Sequence, residues 1–130
     1  YNTDYAVPTK DEKIKDIIPM NINNLKPKID TTTPGRLIAT YGNNEMYIQM
    51  LNLKSSAQAN YVFKSQVVPK FDNMPNRFRG KINGEWIARG TDDSGKKWVA
   101  WTKGKALYMI YGSDKKNLNL LIDNFRFISR

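Results

Sequence analysis

Arg77, Arg79, Lys81 and Trp86 are the residues whose types and spacing point most directly to chemistry in this chain. Alternation along a strand sends the three cations to one face. Asn83-Gly84, a pair suited to a type I′ turn, folds the next strand back so that Lys81 faces Trp86 and Arg79 faces Ala88. The result is a cationic patch around an indole, with Phe78, Ile82 and Ile87 on the opposite face. Such a patch suits stacking on a base or sugar ring while Lys and Arg hold phosphate or carboxylate groups. The same alternation also marks an edge strand protected by charge, its Lys and Arg stems laid over the indole.

Other chemistry is scarce. The chain has no His and no Cys, which excludes a Ser-His-Asp triad, a Cys-His pair, a thiolate or histidine metal site and a disulfide framework. Asp92-Asp93-Ser94-Gly95 gathers oxygen ligands, but it lacks the spaced acids and distal glutamate of a calcium loop and sits where a hairpin needs a turn. Glu45 and Glu85 lie beside turns, and no Gly-rich segment opens a helix as a phosphate loop requires. The residues therefore predict a non-enzyme without metal or cofactor.

The patch has to be positioned by the elements around it. Arg77–Ile82, Glu85–Arg89, Lys96–Thr102 and Lys105–Tyr111 read as a four-strand antiparallel meander with short links. Upstream, Arg36–Tyr41 and Glu45–Leu51 form a hairpin around Gly42-Asn43-Asn44. Ser55-Ser56-Ala57-Gln58 has the form of a capping box and opens a helix with an apolar stripe of Ala59, Val62, Phe63 and Val67, closed by Pro69. Ser113 or Asp114 caps a second helix with Leu118, Leu121, Ile122 and Phe125 at helical spacing. Residues 1–8 read as a loose arm and 9–18 as a short helix opened by Thr9 and ended by Pro19. Met20–Pro34 reads as an extended connection with an edge strand around Ile22–Leu25, and the chain end from Phe125 to Ile128 alternates like a short strand. Hairpin followed by capped helix thus occurs twice, at Arg36–Val68 and Lys96–Asn124.

Lys97–Tyr111 is apolar on both faces. With Lys103-Gly104 as the turn, Trp98, Ala100, Leu107, Met109 and Tyr111 share one face, while Val99, Trp101, Ala106, Tyr108 and Ile110 share the other. A sheet with one wet face would not carry this pattern, so something packs on each side of the hairpin. Its Trp and Tyr residues could alternatively line an apolar pocket.

At 130 residues the chain is the size of one domain, and its net charge of +9 favours anionic partners: nucleic acid, phospholipid headgroups, acidic glycans or an acidic protein. The charge runs from Lys10 to Arg130 without a basic tail. The start at Tyr1, with no charged-then-apolar leader, fits a processed exported protein or a trimmed one, and no apolar run reaches the length of a membrane span.

The Trp-containing strand, Lys-Gly turn, Leu-Tyr-containing strand and capped helix ending in Phe-x-Phe, here Trp98–Phe127, resemble the closing segment of PsbP-like domains. That resemblance implies an extracytoplasmic α+β protein with helices on both faces of an antiparallel sheet, and a non-enzymatic accessory role. It transfers no binding residue. The expectation is a single α+β domain built on a twisted antiparallel sheet of about six strands covered by helices. Its expected role is that of an exported, surface-tethered or secreted module docking on a protein or anionic surface through Arg77, Arg79, Lys81 and Trp86. The alternative is a nucleic-acid or acidic-glycan binder using the same patch.

Overall fold

Seven strands form one antiparallel sheet in the computed structural model, which describes residues 14–82 and 84–125. In chain order they are β1 (Pro27–Asp30), β2 (Arg36–Tyr41), β3 (Met46–Asn52), β4 (Phe78–Ile82), β5 (Glu85–Thr91), β6 (Lys97–Lys103) and β7 (Ala106–Gly112). Across the sheet the order is β1-β2-β3-β7-β6-β5-β4. The α+β class and the antiparallel sheet agree with the sequence, but there are seven strands rather than about six. The expected arm at 1–8, the first part of the 9–18 helix, Asn83 of the Asn-Gly turn and the returning strand beyond Phe125 lie outside the described residues.

The additional strand is β1. The edge strand expected at Ile22–Leu25 is instead a tight turn: Asn23 and Asn24 adopt φ of 51° and 68°, and Ile22 and Leu25 exchange backbone hydrogen bonds of 2.9 Å. Asparagine tolerates this left-handed region, so the chain reverses there. The strand then begins at Pro27, where a missing N–H is acceptable at the start of an edge strand.

Four helices accompany the sheet: α1 (Ile14–Ile17), α2 (Ser56–Val62), α3 (Val68–Phe71) and α4 (Lys115–Asn124). Ser55 Oγ accepts from the Gln58 N–H at 3.1 Å, and Gln58 Oε1 accepts from the Lys54 N–H at 3.0 Å, which closes the expected capping arrangement one residue wider than the usual box. Pro69, however, does not close this helix. A π-turn over Phe63–Val67 joins α2 to α3, and the helical path runs on to Phe71. The π-turn ends just before Pro69, which falls in the first turn of α3, where its missing N–H breaks no essential bond.

The two faces of the β6–β7 hairpin separate as the alternation predicts. On one, Phe63, Val67, Phe71 and Met74 pack on Ala88, Ala100 and Leu107, with Trp86, Trp98 and Met109 at the margin. On the other, Ile17, Ile18, Leu121 and Phe125 join Tyr41, Ile48, Trp101, Tyr108 and Ile110. Asp114 caps α4 by accepting from the Asn117 N–H at 2.8 Å. The two hairpin-helix units therefore send their helices to opposite faces, a relation that rotation about the β3–β7 junction does not generate.

Tyr41 is fully buried and donates its hydroxyl proton to the Pro19 carbonyl at 2.5 Å, tying the chain after α1 to the sheet. Burial holds its phenol well above the ordinary value of 10.0, and burial also raises Tyr47 and Tyr111. Above pH 10 the unfolded phenols ionise while the buried ones stay neutral, so stability is full below that pH and falls as pH rises through it. A series of urea midpoints from pH 8 to 11 should show this fall. Tyr41→Phe should lower stability at pH 8 by about 1 kcal/mol through the lost hydrogen bond and flatten the alkaline decline. An unchanged alkaline slope would assign the decline to other groups.

Candidate binding site

Three of the four residues singled out in the sequence come together. The register pairs Lys81 with Trp86 and Arg79 with Ala88, so Arg79, Lys81 and Trp86 share the face on which α2 and α3 pack. The backbone N–H of Trp86 donates to the Thr102 hydroxyl at 3.0 Å, and the Glu85 carboxylate accepts from the Gly104 N–H at 2.8 Å. These bonds anchor the start of β5 to the β6–β7 turn and give Glu85 a structural role.

Arg77 departs from expectation. β4 starts one residue later, at Phe78, because Asn76 in the preceding turn adopts φ of 55° and interrupts extended backbone. Arg77 instead lines a cleft of about 220 Å³ with Phe71, Asp72, Phe78 and Arg79. Next to it, a second cleft of about 230 Å³ is lined by Lys64, Val68, Arg79 and Trp86. Arg79 lines both clefts and pairs with the Asp72 carboxylate at 3.1 Å.

Lys64 was not legible as a site residue. It belongs to the π-turn, and its ammonium lies 5.4 Å from the centre of the Trp86 ring, close to the 5.3 Å of Lys81. Phe63 from the same turn stacks with that ring at 5.9 Å and 20°. The indole is thus flanked by two cations and backed by an aromatic ring, a cation-π arrangement that holds positive charge at a half-buried apolar surface.

A second aromatic group lies on the same sheet face. Tyr47 and Tyr111 stack at 5.0 Å, Trp98 sits 4.8 Å from Tyr111, and the Lys70 and Lys96 ammoniums stand over Trp98 and Tyr111 at 4.3 and 4.9 Å. Trp98 donates its indole N–H to Asp92 at 2.9 Å. The other Asp92 oxygen accepts from the Ser94 N–H, the Ser94 hydroxyl and the Lys96 N–H. Burial works against ionisation of Asp92, but the bonds from Trp98, Ser94 and Lys96 together hold its carboxyl below the ordinary value. Its oxygens are occupied in shaping the turn. Trp101 and Tyr108, on the opposite face, are core residues and line no cleft described here.

The charge around the site is one-sided. Lys64, Arg79 and Lys81 surround Trp86, Arg77 stands in the adjoining cleft, and Asp72 is the one carboxylate within ion-pair distance of any of them among the described residues. No group of three or more Asp or Glu converges among the described residues, and no described helix is long and apolar enough to cross a membrane. No protein-family model and no curated protein sequence matches the chain.

Proposed function

We propose that the chain is an exported, non-enzymatic accessory module that docks on an acidic partner protein through the Trp86 patch. The observation that carries this reading is the concentration of Lys64, Arg79 and Lys81 around one half-exposed indole, with Arg77 in the adjoining cleft, opposed among the described residues by a single carboxylate. Uncompensated like charges repel and lower stability, and a partner carboxylate surface relieves that repulsion while the indole supplies apolar contact. The resemblance of the closing segment to PsbP-like domains favours the same kind of role.

Replacing Arg77, Arg79 and Lys81 together by glutamine should abolish retention on an immobilised polyglutamate matrix at about 0.15 M salt. The melting temperature should move by no more than about 4 °C, because an exposed pair such as Arg79–Asp72 contributes at most ~1 kcal/mol. Undiminished retention would remove the patch as the docking site.

The flanking of Trp86 by two ammoniums also favours a second reading, in which the patch stacks on a base or acidic sugar ring. Nucleic-acid binding through several phosphates weakens steeply with salt. Failure to bind single-stranded DNA or RNA even at 20 mM salt, which is about the weakest screening practicable, would eliminate the nucleic-acid form.

A further inference from the structure

Among the described residues the sheet has two open edges, and they differ in what they would accept. β1 is four residues long, begins with proline and carries Asp30 in an ion pair with Arg36 at 3.8 Å. β4 is five residues long, contains no proline and, among the described residues, pairs with β5 alone. Alternate residues of such a strand turn their N–H and C=O groups outward, a template for one further strand.

The side chains of β4 sort by face. Arg79 and Lys81 stand on the Trp86 side, where Lys64 adds a further cation. On the other side Phe78 is 46% exposed. Its ring lies along the strand over Gly80, where an added Cβ would sit 3.0 Å from the ring edge, and the Arg89 guanidinium stands 4.8 Å from its centre. One side of the edge is thus cationic, and the other presents the Phe78 ring with the Arg89 guanidinium against it.

We infer that an extended segment of the acidic partner adds to β4 as an eighth strand. Its acidic side chains meet Arg79, Lys81 and Lys64, and its alternating apolar ones lie on Phe78. The inference rests on the reading of the Trp86 patch as a protein-docking site and specifies how the partner is held. Charge selects the occupant. Two copies of this edge would bring Arg79 and Lys81 against like charges, which disfavours self-pairing, whereas an acidic strand reverses the sign of the same interaction. Main-chain bonds then supply affinity, and the alternation of side chains supplies specificity.

The test uses an acetylated octapeptide alternating glutamate with valine, the same peptide N-methylated at alternate residues on its pairing edge, and a charge-matched block peptide of four glutamates followed by four valines. N-methylation removes outward N–H donors without changing charge. Tryptophan fluorescence titration should show the alternating peptide binding at least about tenfold more tightly than the other two, the loss expected when two or three net hydrogen bonds vanish. Amide hydrogen exchange at residues 78–82 should slow only with the alternating peptide. Equal affinity for all three, without protection of β4, would overturn strand addition and leave docking by charge in place. Absence of binding by any of them would also overturn strand addition, while the polyglutamate retention of the triple variant decides the docking reading separately.

Discussion

Replacing Gly112 by alanine should cost roughly 3 kcal/mol or more of folding free energy, a large part of the total for a domain of this size. Gly112 ends β7, in register with Met46 on one side and Lys97 on the other. A Cβ built there would press against the Leu118 backbone nitrogen, with the Leu118 Cα at 2.6 Å and the Asn117 carbonyl carbon at 2.7 Å. All three are backbone atoms of the first turns of α4, so no side-chain rotation relieves the clash. Relief requires α4 to lift, and lifting it withdraws Leu121 and Phe125 from the core. Gly90 provides the control. A Cβ there meets the Met74 side chain, with Sδ at 2.8 Å and Cβ at 2.9 Å, so the thioether end yields while the Cβ contact needs a small loop shift. Urea unfolding should therefore place Gly112→Ala well below Gly90→Ala in stability. A Gly112→Ala midpoint indistinguishable from wild type would mean that α4 does not seat on β7 as described.

Trp101→Ala should be the most damaging truncation of an aromatic residue, at about 3 to 5 kcal/mol. The Trp101 ring is buried, stacks on Tyr108 at 5.1 Å and 17°, and meets Phe125 at 6.4 Å. Removing it leaves a cavity bounded by strand and helix, which the fixed sheet register cannot close. Trp98→Ala, three residues earlier and on the opposite face, should cost less, because Trp98 is half-buried and partly covered by Lys70. Thermal unfolding of both variants, followed by near-UV circular dichroism, separates them. If Trp98→Ala proved the more damaging, the aromatic group with Tyr47 and Tyr111 would be the principal core instead.

Local patterns made much of this fold legible. The alternation in Lys97–Tyr111 assigned each side chain to its face because strand period alone determines that once the turn is known. Ser55 and Asp114 marked helix starts because their side-chain oxygens satisfy free N–H groups in place. β1 escaped notice because four residues opening with proline, between Lys26 and a run of threonines, carry no strand period. The pairing of β3 with β7 was equally invisible, since alternation fixes faces but does not name neighbours. At the site, Arg79, Lys81 and Trp86 came from strand geometry, while Arg77 slipped out of the ladder through the backbone of Asn76. Lys64 needed tertiary structure, because only the π-turn and the seating of its helix bring it over the indole.

The sheet order carries a consequence for the making of the protein. β1–β3 form one local meander and β4–β7 another, and the two meet only where residues 46–52 pair with residues 106–112. During synthesis, β3 emerges with Met46, Ile48 and Met50 turned to a core that is still incomplete, and its partner strand follows about sixty residues later, an interval of several seconds at ribosomal speed. Closure across that span comes late, because it joins strands about sixty residues apart. A nascent chain stopped at Lys105 would thus hold two unjoined meanders, and β7 is the strand that unites them.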